Sequence, residues 1–378
     1  MTSSDTHAYF ATVARGLEPI AARELRNLGA HNITEDYMGV HFSGDRALLY
    51  RVNLWSRTMF RILMPLREFG CNDAQELYEN VKAIAWEDVL SPEKTISVRT
   101  TGGNAALNHT HFTALQVKKA IVDRQWKQFG TRSSVDRDQP DVAINLHVHN
   151  DRAVLSLDSS GDSLHRRGYR PAVGAAPLKE TLASALLALA EYDPSLPLVD
   201  PMCGSGTIAI EAGLIARNIA PGLFREEFGF MGWADFDAGL WDRLCDEAIA
   251  EQRPAPAPIE ASDIDRHAIG HARHNAELCG LESTIQFREC DVLDLKAPSD
   301  RGMVICNPPY GERIGEVEEL GVFYKQFGDV LKQQFKGWVA YILTTKPLSK
   351  RVGLRAAKRF PIDNGCLLYT SPSPRDPS

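Results

Sequence analysis

The sequence predicts a chain of two parts: an α+β region over roughly residues 1–157 and, beyond it, a mostly parallel α/β sheet that presents ligand groups at its strand ends. Three observations carry this expectation. In the first part, short strand-like and helix-like stretches alternate and pair locally. From residue 178 onward, apolar runs of strand length each close on a polar residue, with helix-like segments between them. The bulk agrees: 378 residues, 44% apolar and 24% charged with mean hydropathy −0.24, suffice for two or three ordinary globular cores.

In the first part, Leu17, Ile20, Ala21, Leu25 and Leu28 recur at helical spacing and the pattern stops at Gly29. "YMGVHFSG" then reads as a strand, "DRALLYRVNLWS" as a helix and "TMFRILMPLREF" as a strand. A helix around "AQELYENVKAI", the strand "KTISVRTT", the helix "FTALQVKKAIVDRQWKQF" and the strands "VAINLHVHN" and "RAVLSLDSS" complete it. Such local pairing points to compact α+β units, with a domain boundary near residues 157–175. No repeat shows at periods of about 20–50 residues.

In the second part, "LKETLASALLALA" is a helix with Leu178, Leu182, Ala185, Leu186 and Leu189 along one side. "LPLVDPMCGSGT" runs from a strand through a Gly-rich turn into the helix "IAIEAGLIARN". The same rhythm returns in "EASDIDRHAI", "STIQFRECDVLDL", "GMVICNPPY" and "GWVAYILTTK". Residues 221–258 interrupt it with an aromatic start and a Pro/Ala-rich end. An insertion of this kind serves equally as a substrate wall or a surface excursion.

Several function classes are disfavoured. No apolar run reaches the roughly 18 residues needed to cross a bilayer, and the N-terminus lacks the parts of a secretory signal. A cytoplasmic location without a membrane partner is therefore expected. Seven cysteines show no CxxC pair, so reduced thiols are expected rather than a disulfide framework or zinc ribbon. The net charge of −7 argues against indiscriminate nucleic-acid binding. It is uneven, though: residues 1–170 carry 21 Lys and Arg against 20 Asp and Glu, the remainder 21 against 29. A local basic face therefore belongs in the N-terminal part.

Chemistry concentrates at the strand ends. Asp200 closes an apolar strand, and Gly204 and Gly206 let the backbone turn sharply ahead of a helix with free N–H groups. The spaced G-x-G-x-x-G of a dinucleotide site is absent, and no Lys follows as in a P-loop, so the turn suits a neutral or cationic group. Asp263 falls where a ribose-binding carboxylate is expected, with Asp265 as competitor; a helix-capping role explains either. Asp291 closes the third strand. At the fourth, "NPPY" offers the Asn307 carboxamide oxygen and the Pro308 carbonyl, two acceptors able to hold the hydrogens of one exocyclic amine. Gripped there, the conjugated amine is drawn toward a tetrahedral arrangement that frees its lone pair for attack on a methyl group. Pro308 and Pro309 stiffen the loop, and Tyr310 can stack on a base. His267, His271 and His274 lie at i, i+4 and i+7 with Cys279 nearby, a spacing that could bind zinc. Their helix belongs on the outside of the sheet, away from the strand ends, so no metal is expected.

On these residues the chain resembles class I S-adenosylmethionine-dependent methyltransferases that methylate amines. Through "YFATVARGLEPIAARELRNLGA", "VDRDQPDVAINLHVHNDRAVLSLDSSGDSLHRRGYR", "APLKETLASALL", "DPMCGSGTIAIEA" and "NPPYGER" it is similar to the bacterial family of large-subunit ribosomal RNA guanine-N2 methyltransferases. There the matching portion is the N-terminal half of members that carry two methyltransferase domains. The resemblance implies a Rossmann-like class I domain with a seven-stranded, mostly parallel sheet over residues 158–365. A ferredoxin-like segment over 1–45 and a THUMP RNA-binding domain over 46–157 would precede it. It implies S-adenosyl-L-methionine as cofactor. Pro177, Lys179 and Thr181 would cover it, and Asp200, Pro201, Cys203, Gly204, Gly206 and Thr207 would line its methionine end. Asp263 or Asp265 would take the ribose, Asp291 and Val292 the adenine, and Asn307 would border both cofactor and base. Asn307, Pro308, Pro309 and Tyr310 would form the catalytic loop.

For RNA contact, the resemblance and the charges together suggest Lys118, Lys119, Arg124, Lys127, Arg132 and Arg137 on or beside one helix. In "HRRGYR", Arg166, Arg167, Tyr169 and Arg170 could touch RNA or bridge the domains. The implied partner is large-subunit ribosomal RNA or its precursor particle. A transfer-RNA guanine-N2 methyltransferase is the alternative within enzymes, and an RNA-binding assembly factor without turnover the alternative outside them. Any second methyltransferase activity of the relatives does not carry over. Beyond Gly365, "CLLYTSPSPRDPS" departs from the family pattern and resembles translated adapter or vector sequence. Residues 366–378 are therefore expected to be a non-native tail, leaving the sheet without its last strand.

Overall fold

The computed structural model describes residues 6–170, 178–310, 314–362 and 366–371, and the chain divides into two compact units. The first comprises Met1–Val13, Ala21–Leu164 and Arg225–Asp246, the second Ala14–Ile20, His165–Phe224 and Glu247–Ser378.

The elements of the N-terminal region are β1 (His7–Thr12), α1 (Glu18–Asn27), β2 (His31–Asp36), β3 (Gly39–Gly44), α2 (Arg46–Trp55), β4 (Arg61–Gly70), α3 (Ala74–Lys82), β5 (Ile96–Gly103), α4 (Thr110–Phe129), β6 (Val142–His149) and β7 (Arg152–Asp158). The strands form one seven-stranded sheet in the order β2-β3-β1-β4-β7-β6-β5, antiparallel except for the β5–β6 pair. The α+β reading holds, although the strands join into one continuous sheet. Asp45 starts α2 by accepting the Leu48 N–H at 2.8 Å, and Gly130, at φ 69°, ends α4 in the left-handed conformation that glycine adopts most easily.

The interrupting segment is no loose excursion. Its residues 225–246 belong to the first unit, where Tyr50 of α2 stacks on Phe230 with ring centroids 4.3 Å apart and Trp241 meets Phe228 at 5.2 Å. The Phe230 N–H donates to the Ser159 carbonyl at 3.0 Å, and a side chain at Gly229 would collide with the Asp158 carbonyl.

The second region contains α5 (Glu180–Leu189), β8 (Leu198–Asp200), α6 (Thr207–Ala216), α7 (Ala238–Ala250, which straddles the unit boundary), β9 (Ile259–Asp263), α8 (Arg266–Leu278), β10 (Ile285–Glu289), β11 (Met303–Cys306), α9 (Ile314–Gln334), β12 (Val339–Thr344), α10 (Lys346–Ser349), β13 (Lys358–Ile362) and β14 (Cys366–Ser371). Its sheet order is β10-β9-β8-β11-β12-β14-β13. The pairs from β10 through β12 are parallel, and β14 runs antiparallel between β12 and β13. The buried runs at β8, β11 and β12 suit strands covered on both faces.

This corrects the expectation of a lost strand. Cys366–Ser371 forms a strand between β12 and β13, with Leu367 opposite Thr344 and Ser371 opposite Ala340.

Candidate active site

The chain leaves β8 for β9 on one side of the sheet and later returns to β11 on the other side of β8. That reversal opens a crevice at the carboxyl ends of β8 and β11, the place where α/β sheets bind ligands. The turn after β8 is tied down by main-chain and carboxylate bonds. The Cys203 N–H donates to the Ser262 carbonyl at 2.9 Å, and the Gly204 N–H to Asp263 Oδ2 at 2.9 Å. Gly204 sits at φ 53°, and a Cβ there would meet nothing within 4 Å, so room remains above the turn. Gly206 has another purpose: at φ 83° it brings α6 against α8, where a Cβ would lie 3.0 Å from that of Ala272. Asn275 of α8 steadies the same turn by donating to the Ser205 carbonyl at 3.1 Å.

Asp200 is 1% exposed, and neither of its carboxylate oxygens has a hydrogen-bond partner. Burial pushes its carboxyl up to about 8, with nearby Asp263 adding to the rise; the Met202 amide offsets part of this from outside hydrogen-bonding geometry. A buried, partnerless acid at the end of β8 is the complement of a cationic ligand. At the end of β11, the Asn307 carboxamide oxygen is likewise buried without a partner, as is the Thr181 hydroxyl at the start of α5. These orphaned acceptors, the open space over Gly204 and the acid fit a group bearing an ammonium and a sulfonium.

The other acids divide by position. Asp263 accepts from Gly204 and, through Oδ1, from the Asp265 N–H at 3.0 Å, while Asp265 is exposed and caps α8 by accepting the His267 N–H at 2.8 Å. Asp263 therefore stays with the crevice and Asp265 is a helix cap. Asp291 caps a short turn, accepting from Leu293 at 2.9 Å, and Val292 beside it is buried. Pro201, Cys203 and Thr207 are buried along the turn; Lys179 opens α5, and Pro177 lies outside the described residues.

In the NPPY loop, Pro308 is buried and Tyr310 half-buried. The Pro309 carbonyl accepts from the Tyr324 hydroxyl of α9 at 3.2 Å. That hydroxyl in turn accepts from Thr344, at the end of β12, at 2.8 Å, and both side chains are fully buried. Through that bond Pro309 anchors the loop that carries Asn307 and Pro308. Neither Tyr324 nor Thr344 carries a motif that would reveal this role in the sequence.

Three residues of "HRRGYR" also need correction. Arg167 is buried, its Nε 3.4 Å from Glu211 Oε1, and the Tyr169 hydroxyl donates to the same oxygen at 3.0 Å. Ser184 of α5 donates to the other Glu211 oxygen. Arg170 reaches the Thr207 hydroxyl at 2.9 Å, the Leu178 carbonyl at 3.1 Å and Glu180 at 3.1 Å. These groups fasten the segment to α5 and α6 and are spent on internal partners; Arg166 is exposed. Glu211 had a readable signal, since it is the one charged residue in "TIAIEAGLIA".

Among the basic residues around α4, Arg124 donates to Glu87 at 3.0 and 2.6 Å and to the Lys82 carbonyl at 3.1 Å, so its expected phosphate role gives way to an internal ion pair. Lys119, Lys127, Arg132 and Arg137 are exposed and Lys118 half-buried. His267, His271 and His274 are exposed on α8, and no group able to hold a metal ion occurs among the described residues.

Residues 167–370 match the RMKL-like methyltransferase domain, residues 71–158 the THUMP domain and residues 8–63 the RlmL ferredoxin-like domain. The chain belongs to the RMKL-like methyltransferase family. It is 54% identical to the Synechocystis sp. protein called "Putative RNA methyltransferase slr0064", over 97% of this chain and 96% of that one. It is 44% identical to ribosomal RNA large subunit methyltransferase K/L of Syntrophotalea carbinolica, over 95% of this chain but 52% of the relative, so it spans about half the length of that protein. Among solved structures, a Listeria monocytogenes protein described as a "predicted N6-adenine-specific DNA methylase" superposes with TM-score 0.88 at 34% identity, covering 98% of this chain and 97% of the other. SMU.472, complexed with SAH, superposes with TM-score 0.88 at 31% identity, covering 98% and 99%. No helix among the described residues is long and apolar enough to cross a membrane.

Proposed function

We propose that the chain methylates the N2 amine of a guanine in large-subunit ribosomal RNA. The cofactor is S-adenosyl-L-methionine, which supplies an electrophilic methyl group on a sulfonium. Asp200 would hold the cofactor's ammonium end, Asp263 its ribose, and the turn at Gly204 its methionine chain. The observation that carries the reading is the pair of buried, partnerless acceptors, Asp200 and Asn307, at adjacent strand ends. The carboxamide oxygen of Asn307 and the Pro308 carbonyl would accept the two amine hydrogens and turn the nitrogen lone pair toward the methyl carbon. The amine nitrogen held there would take the methyl group as the cofactor's S–C bond breaks, and its proton would leave to solvent. Tyr310 would stack on the base, which must be unpaired or flipped out.

The test is transfer of labelled methyl from S-adenosylmethionine to undermodified ribosomal RNA, followed by nucleoside mass spectrometry. N2-methylguanosine from the large-subunit RNA is expected. Label on adenine alone would replace guanine N2 by adenine N6, the chemistry named for the Listeria neighbour, which the same acceptor pair could serve. Label on transfer RNA alone would move the substrate.

A further inference from the structure

We infer that the outward face of α4 is a stacking surface for single-stranded RNA. Phe112, Leu115, Trp126 and Phe129 are 45, 45, 61 and 44% exposed, against the burial expected of such side chains. Their spacing places them in one stripe. At about 100° per residue, all four and Lys119 fall within about one quadrant of the helix, around the buried Val122 and opposite the face that buries Val117, Ala120 and Ile121. From Phe112 to Phe129 the stripe runs about 25 Å.

Charge selects the occupant. Lys119 and Lys127 are exposed on the helix, and Arg132 lies just beyond it with its guanidinium 5.9 Å from the Trp126 ring centroid. The helix's only acid, Asp123, accepts from the Tyr78 hydroxyl at 2.8 Å, and Glu87 is engaged by Arg124. Aromatic rings interleaved with cations, with Glu87 paired to Arg124 and Asp123 turned to the Tyr78 hydroxyl, fit stacked bases whose phosphates lie beside the lysines. A protein partner with an acidic face would find the cations but would leave the exposed rings without planar neighbours.

The inference rests on RNA being the substrate. Its test is equilibrium binding of the full chain to an unstructured oligouridylate across a salt series, with Trp fluorescence as a second readout. Trp126→Ala and Phe129→Ala are each expected to weaken binding about tenfold, with no change in the slope of log K against log salt. Lys119→Ala and Lys127→Ala are expected to lower that slope by about 0.7 each. Because these side chains are exposed, misfolding of the variants is not expected, and unchanged thermal midpoints check it. Aromatic variants that bind like the wild type overturn the inference. So does a wild-type dimer that Trp126→Ala dissociates without altering RNA affinity. A chain that binds the oligonucleotide through these rings yet methylates no RNA keeps the surface and loses the proposed reaction.

Discussion

Replacing Asp200 by Asn is expected to make the cofactor-free protein more stable and the cofactor site much weaker. The wild-type carboxyl is pushed to about 8 by burial, against about 3.9 for an unfolded aspartate. Between those values the native state keeps a proton that the unfolded chain gives up, so stability falls as pH rises from about 4 to about 8 and is level above. At about 1.36 kcal/mol per unit, the acid costs at most about 4 kcal/mol at pH 7. Asparagine has the same shape and no charge, so Asp200→Asn should match the wild type near pH 4 and exceed it progressively toward pH 8. Denaturant titrations without cofactor at pH 4.5, 6, 7.5 and 9 measure this. The same variant should bind S-adenosylhomocysteine at least about 100-fold more weakly, since a buried charge pair is broken. Wild-type binding at pH 7 should release most of a proton, detectable by calorimetry in buffers of different ionisation enthalpy. Parallel stability curves for the two proteins, or unchanged affinity, would refute the reasoning.

Tyr324→Phe keeps the buried ring but frees the Pro309 carbonyl; kcat should fall about tenfold with cofactor affinity within about twofold, and Thr344→Ser, which keeps the hydroxyl, should behave as wild type while Thr344→Val follows Tyr324→Phe. Single-turnover kinetics beside cofactor titration separate the two effects; equal losses in rate and affinity would reduce Tyr324 to a packing residue. Glu211→Ala removes the acceptor shared by Arg167, Tyr169 and Ser184 and should cost about 3 kcal/mol in urea unfolding, whereas a loss below about 1 kcal/mol would deny the network its structural weight. Asn307→Ala should abolish methyl transfer while leaving S-adenosylhomocysteine bound within about tenfold; retained turnover would remove the carboxamide from the chemistry.

What could be read in the sequence followed from where polar groups interrupt apolar runs. Asp200 and Asp263 end β8 and β9, Asn307 directly follows β11 and Asp291 lies two residues beyond β10; in the buried strands β8 and β11 the ligand end shows as the first polar residue reached. The rest was hidden where burial is not a local property. β2 was missed because "HNITED" is an edge strand with nearly every side chain in water, so no alternation marks it. Arg167 and Arg170 look like any basic cluster until the fold brings Glu211 and Glu180 against them, and Arg124 is lost to RNA only through Glu87, 37 residues earlier in the chain. The aromatic face of α4 was concealed for the converse reason. In a helical pattern, Phe112, Trp126 and Phe129 read as core, and only the geometry reveals that the core lies on the other side. The same blindness to partners applies at the site itself. Sequence can name the acceptors Asp200 and Asn307, but the fact that nothing in the folded chain satisfies them is what converts a strand-end motif into a demand for a ligand, at a cost in stability that an ordinary structural turn would have no reason to carry.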